Sequence, residues 1–168
     1  DPVILATGPE QKATLTFLDG ERAYVSQHLG DLEHRGAMHA WEEARERYEQ
    51  LFDTHPQAIA CDMHPEYLAS KWAREYAREH DLPLIEVQHH HAHIASVLGE
   101  NKLQGPVIGI ALDGTGYGTD GAIWGGEILI AARHDFERFW HLPSFPLPGG
   151  AAAILNPERT AYALLKVY

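Results

Sequence analysis

The chain opens with short apolar runs separated by turn residues. Residues 3–7 are apolar and end at Gly8-Pro9, and residues 13–18 alternate between apolar and polar positions. Asp19-Gly20 follows as a hairpin turn, and residues 22–26 form a further short run. The pattern predicts three antiparallel strands at the start of a sheet.

A helical period then alternates with short apolar runs. Residues 38–52 predict a helix with a charged outer face. Its apolar stripe comprises Trp41, Ala44, Tyr48, Leu51 and Phe52. Residues 58–61 and 84–87 predict two short strands, and Pro65 opens a predicted helix that extends to about residue 80. A further helix is predicted from the end of the second strand to about Gly99.

Gly105-Pro106 separates this set of elements from a second one. Residues 107–112 predict a strand, and so do residues 122–132, with a break at Gly125-Gly126, and residues 136–142. Asn156-Pro157-Glu158 predicts the start of a last helix. Its predicted apolar face comprises Ala161, Leu164 and Leu165. We therefore predict two units, residues 1–105 and 106–168, and expect the second to be an incomplete part of something longer.

Composition narrows the functional classes. The 168 residues carry a formal net charge of −11, from 24 acidic and 13 basic side chains. That balance argues against nucleic acid as a direct partner, because phosphate contacts need clustered Lys and Arg. No apolar run approaches a membrane span and no signal segment is evident, so we expect a cytoplasmic protein without a membrane partner.

The cysteine and tryptophan residues are expected inside the protein. Cys61 is the single cysteine, which excludes a disulfide framework and a Cys-based zinc site, and its apolar surroundings predict a buried side chain rather than a nucleophile. The tryptophans expected in the core are Trp41, Trp72, Trp124 and Trp140.

The most unusual stretch is a histidine run at the end of a predicted strand. Four of the five residues from His89 to His93 are histidine. If a helix starts here, His89 and His93 lie one turn apart on the same face and can share a metal ion. Asp113 ends the next predicted strand and is the natural third ligand. The alternatives are a polar helix start with capping histidines and an aspartate that merely opens a turn.

A glycine-rich loop follows Asp113, with four glycines in the nine residues 113–121. Glycines let backbone N–H groups approach a phosphate closely, so Gly114, Thr115 and Gly116 are candidate nucleotide-binding residues. A wide hairpin turn explains the same loop about equally well. Lys12 is a candidate for a phosphate contact or an ordinary surface residue.

Other histidines are candidates to line a cleft beside the run. His28 with Asp31, and His64 with Asp62, follow predicted strands, although buried structural roles explain them at least as well. His90 and His91 point away from the face of His89. We expect them to support the ligands through hydrogen bonds or to contact substrate.

Several segments taken together resemble one family. They are residues 26–32, 62–68, 87–94, 112–121 and 123–127. In this order they resemble the C-terminal domain of the HypF-type carbamoyltransferases, which are hydrogenase maturation factors. That domain is in turn similar to the catalytic subunit of tRNA threonylcarbamoyl transferases. The resemblance implies an α/β fold of the actin/Hsp70/sugar-kinase class, with two RNase H-like lobes around a nucleotide cleft and the second lobe truncated here.

The resemblance also implies a metal site and a reaction. The metal ligands would be His89, His93 and Asp113, together with an aspartate expected beyond Tyr168, and the chemistry of these ligands suits iron or zinc. A separate domain would make carbamoyl-adenylate from carbamoyl phosphate and ATP. The domain resembled here would pass the carbamoyl group to the C-terminal cysteine of a HypE-like acceptor during [NiFe] hydrogenase maturation.

Two alternatives remain beside this hypothesis. One is a carbamoyltransferase of the same fold that acts on a small-molecule hydroxyl or on tRNA. The other is a metal- or nucleotide-binding module without turnover, because the chain as it stands is expected to be inactive by itself.

Overall fold

A computed structural model describes residues 1–167 as strands and helices arranged around three sheets. The strands are β1 (Ile4–Ala6), β2 (Thr16–Asp19), β3 (Arg22–Val25), β4 (Ala58–Asp62), β5 (Leu84–Val87), β6 (Val107–Ala111), β7 (Gly116–Tyr117), β8 (Ile123–Trp124), β9 (Glu127–Ala131) and β10 (Phe136–His141). The helices are α1 (Arg35–Phe52), α2 (Leu68–Glu79), α3 (His89–Glu100), α4 (Ala151–Leu155) and α5 (Pro157–Val167).

The first sheet has the strand order β3-β2-β1-β4-β5. The predicted antiparallel arrangement of the first three strands is confirmed, and Asp19 pairs with Arg22 across the hairpin turn. β1, β4 and β5 run parallel. Because parallel strands end at a common edge, Asp62 pairs with Val87 at the point where the chain enters α3.

The first sheet shares one hydrophobic core with α1 and α2. Leu5, Phe17 and Ile59 from the strands and Trp41 from α1 are fully buried in it. Arg45 is also buried, since its guanidinium lies 5.4 Å from the ring centroids of both Trp72 and Tyr76 and its Nη1 lies 2.6 Å from Glu49 Oε1. The core thus closes over a charge that is paired and stacked on aromatic rings.

The second sheet has the order β10-β9-β6 and is antiparallel throughout. Helix α3 packs against it through Ile94 and Leu98, which meet Leu129 and Ala131 in a second core cluster. Gly109 makes this close approach possible, because a Cβ atom there would lie 2.2 Å from Ile94 Cδ1. Helix α3 therefore follows the first sheet in sequence and packs on the second.

Two helices begin at other residues than predicted, and one helix was not predicted. α1 begins at Arg35 rather than residue 38, because the His34 side chain caps it by accepting a hydrogen bond from Ala37 N. α2 begins at Leu68 rather than at Pro65, because residues 64–66 form a turn in which His64 Nδ1 accepts from Glu66 N. The short helix α4 was not predicted, whereas α5 begins at Pro157 as expected.

Some predicted core positions are wrong. Leu51 is 72% exposed, because its neighbour Phe52 takes the contact with Tyr24 in a ring stack at 4.0 Å. Trp140 is 49% exposed, because a register shift between Arg138 and Trp140 turns the side chain outward on the edge strand. Ala161 and Leu165 of the predicted apolar face are exposed, and Ala163 is the residue of α5 that is buried.

The other interior predictions are confirmed for Trp41, Trp124 and Cys61, which are buried, and Trp72 is partly buried against the first core. The division of the chain between residues 105 and 106 stays a prediction. Within residues 1–167, no helix combines the length and apolar character needed to cross a membrane.

Replacing Leu5 with Ala should lower the free energy of unfolding by about 2–5 kcal/mol, because the side chain is fully buried in a central strand. Urea denaturation followed by circular dichroism measures the change. The matched control is Leu51→Ala, which should change stability by less than about 0.5 kcal/mol because Leu51 is exposed. Equal losses from the two variants would contradict the described core.

Candidate metal centre

Three elements bring the candidate ligands to one edge of the fold. β5 ends at Val87, and α3 begins directly after it with Gln88 as its N-cap, whose side-chain Oε1 accepts from His91 N at 2.9 Å. His89 and His93 lie on successive turns of α3. Asp113 follows β6, which packs beneath the same helix. The histidines belong to the first predicted unit, residues 1–105, and the aspartate to the second, residues 106–168.

The side chains of His89, His93 and Asp113 converge on one point. His89 Nε2 lies 3.3 Å from His93 Nε2, and Asp113 Oδ2 lies 3.4 Å from each of these nitrogens. We refer to these three residues as the triad. Zinc–ligand bonds of about 2.0–2.2 Å place neighbouring ligand atoms of a tetrahedral site about 3.3–3.6 Å apart. The spacing and donor types of the triad therefore fit a divalent metal, although ligation itself stays a prediction.

Asp62 stands directly behind His89. Its Oδ2 lies 2.8 Å from His89 Nδ1, and its Oδ1 accepts a hydrogen bond from His64 N at 2.8 Å. The hydrogen bond to Asp62 raises the pKa of His89, although burial works against it. Sequence reasoning placed Asp62 among the residues that might face a cleft but assigned it no contact with His89. Its position at the end of β4, level with Val87, is the signal that points to it.

His90 lies beneath Asp113 and is fully buried. Its Nδ1 lies 3.2 Å from Gln88 Nε2, and its Nε2 lies 3.8 Å from Asp113 Oδ1. Burial lowers the pKa of His90, which favours the neutral form of the ring. His91 points the other way, where its Nε2 lies 2.8 Å from the carbonyl oxygen of Ala132. Of the two, only His90 therefore lies beside the triad.

The glycine-rich loop forms a small hairpin, since β7 and β8 pair across residues 116–124. Two of its glycines are required by packing. A Cβ atom on Gly116 would lie 2.8 Å from His89 Cβ, and one on Gly118 would lie 2.0 Å from Trp124 Nε1. The hairpin alternative is thus present in the structure. Gly114 and Thr115 are exposed next to Asp113, and the role of Gly114, Thr115 and Gly116 in nucleotide binding stays a prediction.

A buried ion pair holds the far side of this loop. Glu127 is fully buried and receives two hydrogen bonds from Arg138, Nε–Oε2 at 2.6 Å and Nη2–Oε1 at 2.9 Å. The Arg138 guanidinium lies 4.0 Å from the centroid of the Trp124 ring, whose Nε1 donates to Asp120 Oδ1 at 2.8 Å. Trp124 packs on Gly118, so this network fixes the loop that leads from Asp113.

The remaining candidates lie around the centre rather than in it. The backbone N–H of Lys12 donates to Asp31 Oδ1 at 2.7 Å, and its side chain is exposed. His64 stacks on Tyr67 at 4.1 Å and meets Tyr117 edge-on, and burial lowers the pKa of His64. His28 is exposed, and among residues 1–167 no hydrogen bond or ion pair joins its side chain to the triad.

Cys61 is a poor nucleophile in this setting. Its side chain is buried at the end of β4, and burial raises the pKa of the thiol to about 11. Nucleophilic sulfur chemistry needs the thiolate, which is scarce far below the pKa. Any reaction with a thiol at this centre therefore requires a thiol from elsewhere.

Comparison with known proteins gives one consistent result. The model of the HypF Kae1-like domain matches residues 1–100, and the model of the second subdomain of the carbamoyltransferase Kae1-like domain matches residues 109–168. The carbamoyltransferase HypF2 of Cupriavidus necator is 43% identical over 98% of this chain and 20% of its own length. The carbamoyltransferase HypF of Synechocystis is 45% identical over 96% of this chain and 21% of its own.

A solved structure agrees in fold as well as in sequence. The crystal structure of full-length HypF in the phosphate- and nucleotide-bound form superposes with a TM-score of 0.90 at 48% identity, over 97% of this chain and 21% of that one. The chain thus spans about a fifth of the length of the relatives it matches. Fold and sequence together define it as a Kae1-like α/β domain, which confirms the predicted fold class.

The chain belongs to the HypF Kae1-like domain family, whose relatives named above are carbamoyltransferases. The family predicted from the sequence segments is therefore confirmed. The match to two consecutive family models extends over both predicted units.

Replacing Arg138 with Met should lower the free energy of unfolding by about 3 kcal/mol, because it leaves the Glu127 carboxylate buried without its partner. Equilibrium urea unfolding measures the loss. The double variant Glu127→Gln with Arg138→Met should lose less, since no charge is then stranded.

The control for this pair is Arg47→Ala. Arg47 is 76% exposed and its ion pair with Glu43 lies on the surface of α1, so the loss should stay below about 1 kcal/mol. An Arg138→Met variant as stable as the Arg47 control would refute the structural role of the network.

Proposed function

We propose that this chain is part of a carbamoyltransferase that passes a carbamoyl group from carbamoyl-adenylate to the C-terminal cysteine thiol of a HypE-like protein in [NiFe] hydrogenase maturation. The observation that carries the proposal is the triad, whose three ligand atoms lie 3.3–3.4 Å apart in a domain of the HypF family. Carbamoyltransferase relatives support the reaction class, and the donor and acceptor are inferred from the family resemblance.

The residues of the centre have separable tasks in this proposal. His89, His93 and Asp113 hold a divalent metal, either iron or zinc. When bound, that metal would supply positive charge beside the phosphate of the adenylate. Asp113 and the two histidines come from different predicted units of the chain, so the metal-binding position depends on how α3 packs against β6.

The loop after Asp113 is proposed to hold the nucleotide phosphate. Gly114 and Thr115 are exposed beside the triad, and Gly116 sits against His89 without a side chain in the way. Backbone N–H groups can then reach an anion without steric hindrance. Lys12 is proposed to add a positive charge from the loop before β2, while His28, His64 and His90 are the substrate-cleft candidates.

The transfer exchanges one bond for another. The acceptor sulfur forms a bond to the carbamoyl carbon, the bond from that carbon to the phosphate oxygen of AMP breaks, and the thiol proton passes to solvent. Stabilising the charge that builds up on the departing AMP is the contribution expected from the centre. Since Cys61 is buried and its thiol pKa is about 11, the acceptor thiol belongs to the partner protein.

The single cysteine is compatible with a reducing cytoplasm, which is the proposed location. The net charge of −11 weighs against tRNA as an acceptor.

Replacing both His89 and His93 with Ala should abolish stoichiometric metal binding, because two of the three ligand atoms disappear. Asp113→Ala should raise the Kd for the metal at least about 100-fold. Residues that only hydrogen-bond to a ligand typically change metal affinity by about 10- to 100-fold, and Asp113 would be a ligand itself. Equilibrium dialysis against zinc or ferrous iron, followed by elemental analysis, measures both effects. His39→Ala on the surface of α1 is the control and should retain full metal content. Full metal content in the double histidine variant would refute the site.

The transfer itself is tested in a full-length protein that contains this domain. Carbamoyl-adenylate and a HypE-like acceptor are added, and mass spectrometry should find a thiocarbamate on the C-terminal cysteine. The same protein with His89→Ala and His93→Ala should give none. If the thiol is untouched while tRNA or a sugar hydroxyl becomes carbamoylated, the acceptor assignment is wrong.

A further inference from the structure

We propose that Asp62 and Gln88 hold the neighbouring residues His89 and His90 in opposite tautomers. His89 then directs the lone pair of its Nε2 toward His93 and Asp113, whereas His90 directs the proton on its Nε2 toward Asp113. Asp62 and Gln88 are therefore positioning residues. The inference rests on the proposed metal-binding function of the triad, but it concerns an arrangement that the chain builds by its own hydrogen bonds.

Hydrogen bonds fix both carboxylate oxygens of Asp62, and its backbone is fixed by strand pairing. Its side chain is only 8% exposed. Its backbone lies in the parallel pair of β4 and β5, and its carbonyl oxygen accepts from Ser70 Oγ at 2.8 Å. Oδ1 accepts from the backbone N–H of His64 and Oδ2 faces His89 Nδ1, both at 2.8 Å. Few rotamers are open to a carboxylate with both oxygens engaged.

The hydrogen-bonding roles at His89 follow from chemistry. A carboxylate accepts only, so the proton between Asp62 Oδ2 and His89 lies on Nδ1. In the neutral ring, Nε2 then carries the lone pair, and this is the atom 3.3 Å from His93 Nε2 and 3.4 Å from Asp113 Oδ2. The other tautomer would place a proton inside the triad, where it would block the metal.

At His90 the hydrogen bonds of Gln88 place the ring proton on the other nitrogen, Nε2. Gln88 Oε1 accepts from the backbone N–H of His91 at 2.9 Å, and Gln88 Nε2 donates to the carbonyl oxygen of Tyr117 at 3.2 Å. These backbone partners fix the orientation of the amide, so Nε2 also donates to His90 Nδ1 at 3.2 Å. The proton of His90 therefore lies on Nε2.

That proton faces the triad. His90 is fully buried, and within residues 1–167 its Nε2 has no hydrogen-bond partner. Asp113 Oδ1 lies 3.8 Å away, somewhat beyond hydrogen-bond distance, and it is the oxygen of Asp113 that does not face His89 and His93. In this proposal Asp113 Oδ1 is the acceptor for that proton once it comes within hydrogen-bond distance. His90 would then hold Asp113 as Asp62 holds His89.

The change Asp62→Asn tests the proposed tautomer of His89, because asparagine has nearly the same size and shape as aspartate. The backbone N–H of His64 can only donate, so the amide oxygen of the new side chain stays with it. The NH2 group then faces His89 Nδ1, which must accept, and the proton of His89 moves to Nε2. Gln88→Glu tests the arrangement at His90, because an ionised carboxylate still caps His91 N but can donate neither to His90 Nδ1 nor to the Tyr117 carbonyl oxygen.

Long-range ¹⁵N–¹H NMR of the metal-free protein at alkaline pH, where the imidazoles are neutral, reads the tautomers directly. We expect Nδ1–H on His89 and Nε2–H on His90. Asp62→Asn should invert His89 alone and raise the Kd for zinc about 10- to 100-fold. Gln88→Glu should invert His90 alone. Asp53→Asn, at an exposed helix C-cap with φ 50, is the matched control and should change neither tautomer.

The outcomes distinguish a failure of the tautomer inference from a failure of the proposed metal-binding function. An Nε2–H tautomer at His89 in the unaltered protein, or an Asp62→Asn variant with an unchanged His89 tautomer and zinc affinity, would overturn the inference. The predicted tautomers in a protein that binds neither zinc nor ferrous iron would support this arrangement and refute the proposed metal function. Circular dichroism confirms that the variants fold, so a lost signal is not mistaken for an inverted tautomer.

Discussion

The hydrogen bond between Asp62 and His89 is the contact on which the candidate centre depends. It joins the end of one parallel strand to the first residue of the helix that follows the next strand. Because β4 and β5 are in register at Asp62 and Val87, the carboxylate lies level with the start of α3. Without this contact the His89 ring would lose the hydrogen bond that directs its Nε2 toward His93 and Asp113.

The aspartate of the triad depends on a different constraint, which is close approach. Helix α3 reaches the second sheet because Gly109 leaves room for Ile94, and the loop after Asp113 reaches α3 because Gly116 leaves room for His89. Trp124, packed on Gly118 and covered by Arg138, holds that loop from the other side. The buried pair of Arg138 and Glu127 therefore acts on the centre through packing, at a distance from the ligands.

Much of the fold was predictable because its signals are local. The alternating runs identified the strands, and the hairpin at Asp19-Gly20 and the break at Gly125-Gly126 are short-range turn chemistry. Errors arose where tertiary contacts decide. The first residue of α2, Leu68, donates its backbone N–H to Glu10 Oε2 at 2.7 Å, which is a contact with a distant segment. Trp140 turned outward because of a register shift that its own neighbours in sequence do not reveal.

The sequence by itself determined which residues of the centre are chemically able to bind a metal, because the spacing of His89 and His93 on a helix is a property of that helix, and Asp113 ends a strand in the same pattern. Only the tertiary structure decided that these atoms lie 3.3–3.4 Å apart and that Asp62 and Gln88 stand behind them. It also decided that His90 lies beside the triad while His91, also buried, bonds to the carbonyl oxygen of Ala132. Hydrogen bonds between distant segments set those positions, and a one-dimensional pattern carries no distance between segments that meet only on folding.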